Sequence, residues 1–126
     1  MDIYYQSEKF RQLLHRYEAL QEDNISEFLD SEELTDVAEY YHYIGEDKKA
    51  LEATDYAIRM YPTATSPLAF KARMALLSSN NPQLADEVAE TIIDKSDLDY
   101  LYLKAEIMIV DNNILIRKEV TSYPDA

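Results

Sequence analysis

Three stretches of the chain, LTDVAEYY from Leu34, LAFKARMA from Leu68 and LYLKAEIM from Leu101, each begin on a leucine and place an alanine four residues later, at Ala38, Ala72 and Ala105. The leucines lie 34 and then 33 residues apart, and a second series follows in which Ala50 and Ala85 are separated by 35. A period of this length marks one supersecondary unit used again and again. Such a unit is too small to bury its apolar side alone and depends on its neighbours.

Spacing inside the units is helical. Phe10, Leu13, Leu14, Tyr17 and Leu20 recur at three and four and predict a helix over 4–22. Asn24 followed by Glu27 fits a reciprocal cap and reads as a turn or short helical piece. Asp30 with Glu33 three residues on has the same form, and Leu34, Val37, Ala38, Tyr41 and Ile44 mark the buried side of the helix it opens. That helix meets Gly45, the only glycine in 126 residues. The residue after a helix end commonly turns left-handed, which glycine does without steric cost, so Gly45 predicts a tight helix hairpin. Ala50, Leu51, Thr54, Ala57, Ile58 and Tyr61 form the returning stripe, ended by Pro62. Ser66-Pro67 and Asn81-Pro82 each offer a cap followed by proline, and Ser96 with Asp99 opens a further helix. Helices are therefore expected over 66–79, 83–95 and 98–110, with Ile114–Ile116 as the one strand-like stretch.

Composition narrows the class. At 47% apolar the chain can build one domain with a modest core. Its formal charge of −13 divides as −4 over 1–30, −5 over 31–64, −2 over 65–98 and −2 over 99–126, so no segment is basic. Nucleic acid and anionic membranes both require Lys and Arg and are not expected partners. MDIYYQSEKF has neither the basic flank nor the apolar stretch of a secretory signal, and no apolar run reaches the ~18 residues of a membrane span, so a soluble cytoplasmic chain is expected. Without cysteine there are no disulfides, no thiol catalysis and no Cys-built metal site.

The first unit, with Leu34, Val37, Ala38, Tyr41, Gly45, Ala50, Thr54, Ala57 and Pro62 at their observed spacings, resembles the tetratricopeptide repeat, a 34-residue helix hairpin. Leu34 stands where that pattern asks for Trp and Thr54 where it asks for an aromatic. In the second unit Leu68, Ala72, Ala85 and Ala89 fit, whereas Lys71, Ala75, Ser79 and Ile92 depart. The stretch from Phe10 through EYYHYIGEDKKALEATDYAIRMYP is also similar to the start of long bacterial arrays of this class, which implies an amino-terminal piece. The resemblance implies an all-α fold of antiparallel hairpins stacked as a right-handed superhelix. As one helical-repeat domain it comprises an amino-terminal packing helix and turn (1–30), repeat 1 (31–64), repeat 2 (65–97), the first helix of repeat 3 (98–110) and a tail or cap (111–126). Independently of family, alanines at 38 and 50 allow two helix axes to approach toward ~8 Å.

Candidate chemistry is sparse. Glu39-Tyr-Tyr-His42 has the Glu-x-x-His spacing of di-iron bundles, but His15 has Gln12 before it and supplies no second motif. No HExxH, phosphate loop or nucleophile elbow occurs, so neither metal nor cofactor is expected. Glu32-Glu33 and Asp86-Glu87 read as first-turn residues that complement helix dipoles. Among eleven tyrosines, Tyr41 and Tyr56 are expected in the core, while Tyr40, Tyr43, Tyr61 and Tyr102 cannot all be buried on one stripe. The resemblance implies a concave groove lined by first helices: Glu32, Thr35, Glu39, His42 and Tyr43, then Ser66, Ala69, Arg73, Leu76 and Leu77, then Asp99, Tyr102, Glu106, Ile109 and Val110. Thr35 and Glu39 stand where a chaperone-tail clamp would need Lys and Asn. The expected function is a non-catalytic protein-interaction scaffold, with Glu39, His42, Tyr43, Arg73, Tyr102 and Glu106 as candidate partner-binding residues. Two alternatives are an assembly element that dimerises through the carboxy-terminal helix and, less favoured, a small carboxylate enzyme built on Glu39 and His42.

Overall fold

A computed structural model describes residues 3–23 and 28–122. These residues form a turn of 3-10 helix at Ile3–Gln6 and six α-helices: α1 Glu8–Asp23, α2 Ser31–Tyr43, α3 Asp47–Met60, α4 Thr65–Leu77, α5 Pro82–Glu90 and α6 Leu98–Ser122. The fold is all-α. The chain divides into two compact units, Met1–Pro67 and Leu68–Ala126.

In the first unit, Ser7 breaks the helix expected over 4–22 in two. Its Oγ donates to the Tyr4 carbonyl at 2.6 Å and accepts from the Phe10 N–H at 3.1 Å, so it ends one turn and caps the next. The proposed Asn24–Glu27 cap lies outside the described residues. Asp30 caps α2 as its sequence requires: Glu33 N–H donates to Asp30 Oδ1 at 2.8 Å, and Asp30 N–H donates to Glu33 Oε1 at 3.0 Å. α2 ends at Gly45, where φ is +83°. Glu46 N–H bonds the Tyr41 carbonyl at 2.7 Å and Gly45 N–H bonds that of His42 at 3.0 Å, the two bonds of a Schellman end.

α3 then packs back against α2. The pair is antiparallel because both ends are tied. At one lies the Gly45 turn; at the other, Tyr61 after α3 donates its hydroxyl to the Leu29 carbonyl before α2 at 2.6 Å. Leu34, Val37, Ala38 and Tyr41 meet Ala50, Ala53, Thr54 and Ala57 in this buried seam. Thr54 is accommodated there because its Oγ1 donates to the Ala50 carbonyl at 2.7 Å. Ile44 and Leu51, expected inside, are exposed, and Ala53 takes the inner place. α1 adds Phe10, Leu13 and Tyr17 to the core. Arg16 fastens α1 to the start of α2 by donating to the Phe28 carbonyl at 2.9 Å and approaching Glu33 at 3.5 Å.

α4 starts at Thr65, so Ser66 lies inside its first turn and is not the cap. Its second-unit part buries Leu68, Ala69, Phe70, Ala72, Met74, Ala75 and Leu76. The chain has no second glycine for the turn that follows, and Asn80 takes the left-handed conformation instead, with φ +50°. Asn81 then caps α5 by accepting from the Leu84 N–H at 3.1 Å, and Pro82 occupies the first helical position. α5 stops at Glu90, short of the expected 95. Thr91 and Ile92 tighten to three-residue hydrogen bonds, on the carbonyls of Val88 and Ala89, and Lys95 Nζ donates to the carbonyls of Glu90 at 3.1 Å and Ile92 at 2.9 Å. Three successive β-branched residues, Thr91 to Ile93, make that the weak place in the helix.

α6 opens on Asp97, not Ser96. The Asp97 carboxylate accepts from the Asp99 N–H at 2.8 Å, while Ser96 Oγ donates to Asp94. α6 runs to Ser122, well past 110, and the strand expected at 114–116 is helical. It packs on α5, and among its described side chains Tyr100, Leu103 and Ile107 are buried.

Candidate partner-binding surface

Glu39, His42 and Tyr43 stand at i, i+3 and i+4 on the last turns of α2, so helix geometry alone places them on one side. All three are exposed. His42 is held across the hairpin turn, its Nδ1 lying 2.9 Å from Asp47 Oδ1 in the first turn of α3. Tyr43 is 49% exposed, and its ring centroid lies 5.3 Å from that of Tyr5 in the 3-10 turn. Tyr5 also meets Tyr40 at 5.4 Å and Phe10 at 5.2 Å, while Phe10 lies 5.0 Å from Tyr40. Tyr4 completes this aromatic layer, 5.3 Å from Phe10, and donates its hydroxyl to Asp36 Oδ2 at 3.0 Å. Burial raises the Asp36 carboxyl above the ordinary range, the Tyr4 hydrogen bond opposes that rise, and Glu32, Asp30 and Glu33 add to it.

The amino-terminal turn therefore shares the candidate surface of the first unit. This was hidden in the sequence, where Tyr4 and Tyr5 fall outside the repeat; the one signal was a Tyr-Tyr pair that recurs at 40–41. Beside the aromatic layer, a cleft of about 400 Å³ is lined by Tyr4, Lys9, Arg16, Asp30, Glu33 and Asp36 among others. A smaller one, about 270 Å³, lies against Tyr17, Tyr41, Lys49 and three glutamates, with the Lys49 ammonium 5.6 Å from the centre of the Tyr41 ring. Burial pushes the Tyr17 and Tyr41 phenols up to about 12.

In the second unit Arg73 Nε donates to Glu106 Oε1 at 3.4 Å, a long, partly exposed pair that joins α4 to α6. Tyr102, one turn before Glu106, is 61% exposed. Other positions assigned to the groove do not reach the surface: Thr35, Ala69 and Leu76 are buried, and Thr35 Oγ1 donates to the Ser31 carbonyl at 2.7 Å. Tyr56, expected in the core, is half-buried.

Asp86 and Glu87 lie beyond the first turn of α5. Asp86 and Glu90, four apart, bind the Lys104 ammonium from α6, with the Glu90 contact at 2.6 Å. This pairing lifts Lys104 above the usual lysine range, and the hydrogen bonds from Lys104 and Lys95 hold Glu90 low. The sequence signal for the clamp was an i, i+4 acid pair opposite a lysine on the next helix. Among the described residues no group of three or more His, Asp and Glu side chains is placed to hold a metal ion, and no helix is long and apolar enough to cross a membrane. Comparison with protein-family models, with curated proteins and with solved structures gives no match for this chain.

Proposed function

We infer that the chain is a helical-repeat scaffold of the tetratricopeptide kind, non-catalytic, which binds a protein or peptide partner. The residues assigned to recognition are Glu39, His42 and Tyr43 in the first unit and Arg73, Tyr102 and Glu106 in the second. One observation carries the reading: side-chain links recur at the repeat spacing. Ser66 Oγ donates to Glu32 Oε1 at 2.6 Å, 34 residues away, and Arg73 reaches Glu106, 33 residues away. In each pair the partners occupy equivalent places in successive sequence repeats, as a repeat of this length leads one to expect. The glycine-ended α2–α3 hairpin supports the same reading, and the right-handed superhelix belongs to it. What these residues offer is non-covalent: two exposed phenol rings, two carboxylates, one imidazole and one guanidinium, of which the phenols and the guanidinium are groups enriched at protein interfaces.

The test is affinity capture by the wild-type chain and by Tyr43→Ala, Arg73→Ala and the double variant, each first shown to retain wild-type helicity. Loss of the same captured proteins from the variants is expected. A double variant that keeps every partner would reject the assignment of these residues. Assembly through α6 is the second reading, favoured by the exposed apolar side chains of that helix. Sedimentation of the isolated chain as a monomer would remove it.

A further inference from the structure

Three helices of the first unit meet at the cleft of about 270 Å³: α1 brings Tyr17, Glu18 and Glu22, α2 brings Tyr41, and α3 brings Lys49 and Glu52. The two rings lie edge to face with centroids 6.3 Å apart, and the residues are only 4% and 8% exposed. Among the described residues neither phenol hydroxyl has a hydrogen-bond partner, yet no side-chain oxygen sealed from solvent lacks one. Both hydroxyls therefore reach open space, and the cleft is the opening that both residues line. Polar atoms on side chains buried to this degree are nearly always paired, so these two call for a donor from outside the chain.

Water would serve a hydroxyl alone; the surrounding charges narrow the donor further. Glu18 and Glu22 stand four apart on α1, where like charges repel. Neither they nor Glu52 is paired with a cation among the described residues. Burial raises both phenols most, but Glu52 adds to the rise of both and Glu18 to that of Tyr41, so these carboxylates act at the hydroxyls themselves. Lys49 is the cation on this lining, and its ammonium lies 5.6 Å from the centre of the Tyr41 ring without closing an ion pair. One lysine against three glutamates leaves the lining negative. An aromatic ring among carboxylates is the chemistry that holds an ammonium group, and the chain's own lysine already rests on this ring. The cleft falls below the ~300–1,000 Å³ of pockets for whole small molecules and suits one cationic group on its stem. We propose that it is a binding site for an alkylammonium group, as carried by a lysine side chain or a small free amine. The ammonium donates to Glu18, Glu22, Glu52 and the Tyr17 and Tyr41 hydroxyls, and takes the place of Lys49 over the Tyr41 ring.

This goes beyond the scaffold reading and shares none of its assigned residues; Tyr41 lies about 160° around α2 from both Glu39 and Tyr43. The test titrates the full chain at matched ionic strength with n-butylammonium, with a capped Ala-Lys-Ala peptide and with the same peptide carrying norleucine for lysine. Chemical shifts of the Tyr17 and Tyr41 rings report binding. Both ammonium probes are expected to bind, and the norleucine peptide at least about tenfold less tightly. A lysine peptide about tenfold tighter than the free amine would make a protein lysine the source; equal affinities would make it the free amine. Glu18→Gln with Glu52→Gln should weaken both about tenfold, and Tyr41→Phe, which keeps the ring, several-fold. Lys49→Gln should strengthen binding several-fold by removing the internal competitor. Lys9→Gln makes the same charge change half a turn around α1 from Glu18 and should alter it less than about twofold. Tyr43→Ala with Arg73→Ala should bind as the wild type does, so the two readings fail separately. Equal binding of the lysine and norleucine peptides, no binding of either ammonium probe, or equal gains from the two lysine variants overturns the proposal. So does a response that sodium chloride reproduces at the same ionic strength, which would leave an acidic surface only.

Discussion

At the scale of single residues, two small residues do different work. Gly45 is needed for its backbone: φ is +83°, and a Cβ added there would meet nothing within 4 Å. Gly45→Ala should therefore cost about 1 kcal/mol from left-handed strain alone, and Gly45→Asn less, as Asn80 already shows by adopting that conformation. Equal denaturation midpoints for all three chains would contradict this. Ala50 is needed for its size, being fully buried between α2 and α3. Ala50→Leu should cost about 1–3 kcal/mol by overpacking, read in urea unfolding; the same change at exposed Ala105 should cost almost nothing.

At the scale of elements, the helices are defined by their ends. α2 has a complete capping box at Asp30 and a Schellman end at Gly45, and both were legible because each rests on residues within five positions of one another. Asp30→Ala should destabilise the first unit by about 1 kcal/mol, and Asp30→Ser should restore most of the loss; thermal unfolding followed by circular dichroism would show it. The ends that were misplaced rest on contacts just as local, three to five residues apart, made by side chains whose backbone partners the spacing did not single out. α5 stops early with Lys95 bonded to its last carbonyls, and α1 starts late because Ser7 bonds both ways. The Ile114–Ile116 run looked like a strand because β-branched residues favour one, yet in α6 helical continuity prevails over that preference.

At the scale of the molecule, the two units carry different kinds of polar interaction, one buried and one at the surface. In the first, buried phenols dominate. Tyr17 and Tyr41 are raised from 10.0 to about 12, by burial first and then by neighbouring phenols and carboxylates. Because their folded values lie above the unfolded one, their contribution to stability is complete below pH 10 and is lost as pH rises through about 12. Titration of tyrosinate absorbance should show two of the eleven phenols ionising last, together with loss of first-unit helix. Simple ionisation of all of them near their ordinary value, with helicity unchanged, would count against that core. In the second unit the Lys104 clamp on Asp86 and Glu90 acts at the other end of the scale. Glu90 is held low, so its contribution is present above 4.5 and fades as pH falls through its folded value.

By itself the sequence determined the helical class, the 33- and 34-residue spacing, the glycine-ended hairpin and the caps at Asp30 and Asn81. Each of these follows from residues close together in the chain, acting through backbone geometry and local hydrogen bonds. Only the tertiary structure decided that Tyr4 and Tyr5 lie against Tyr40, Tyr43 and Asp36, that Lys104 spans two acids of α5, and that α6 keeps one of its two apolar sides in the open. Those outcomes depend on which surfaces meet after the helices form, and burial and Coulomb energies set that choice between residues far apart in sequence.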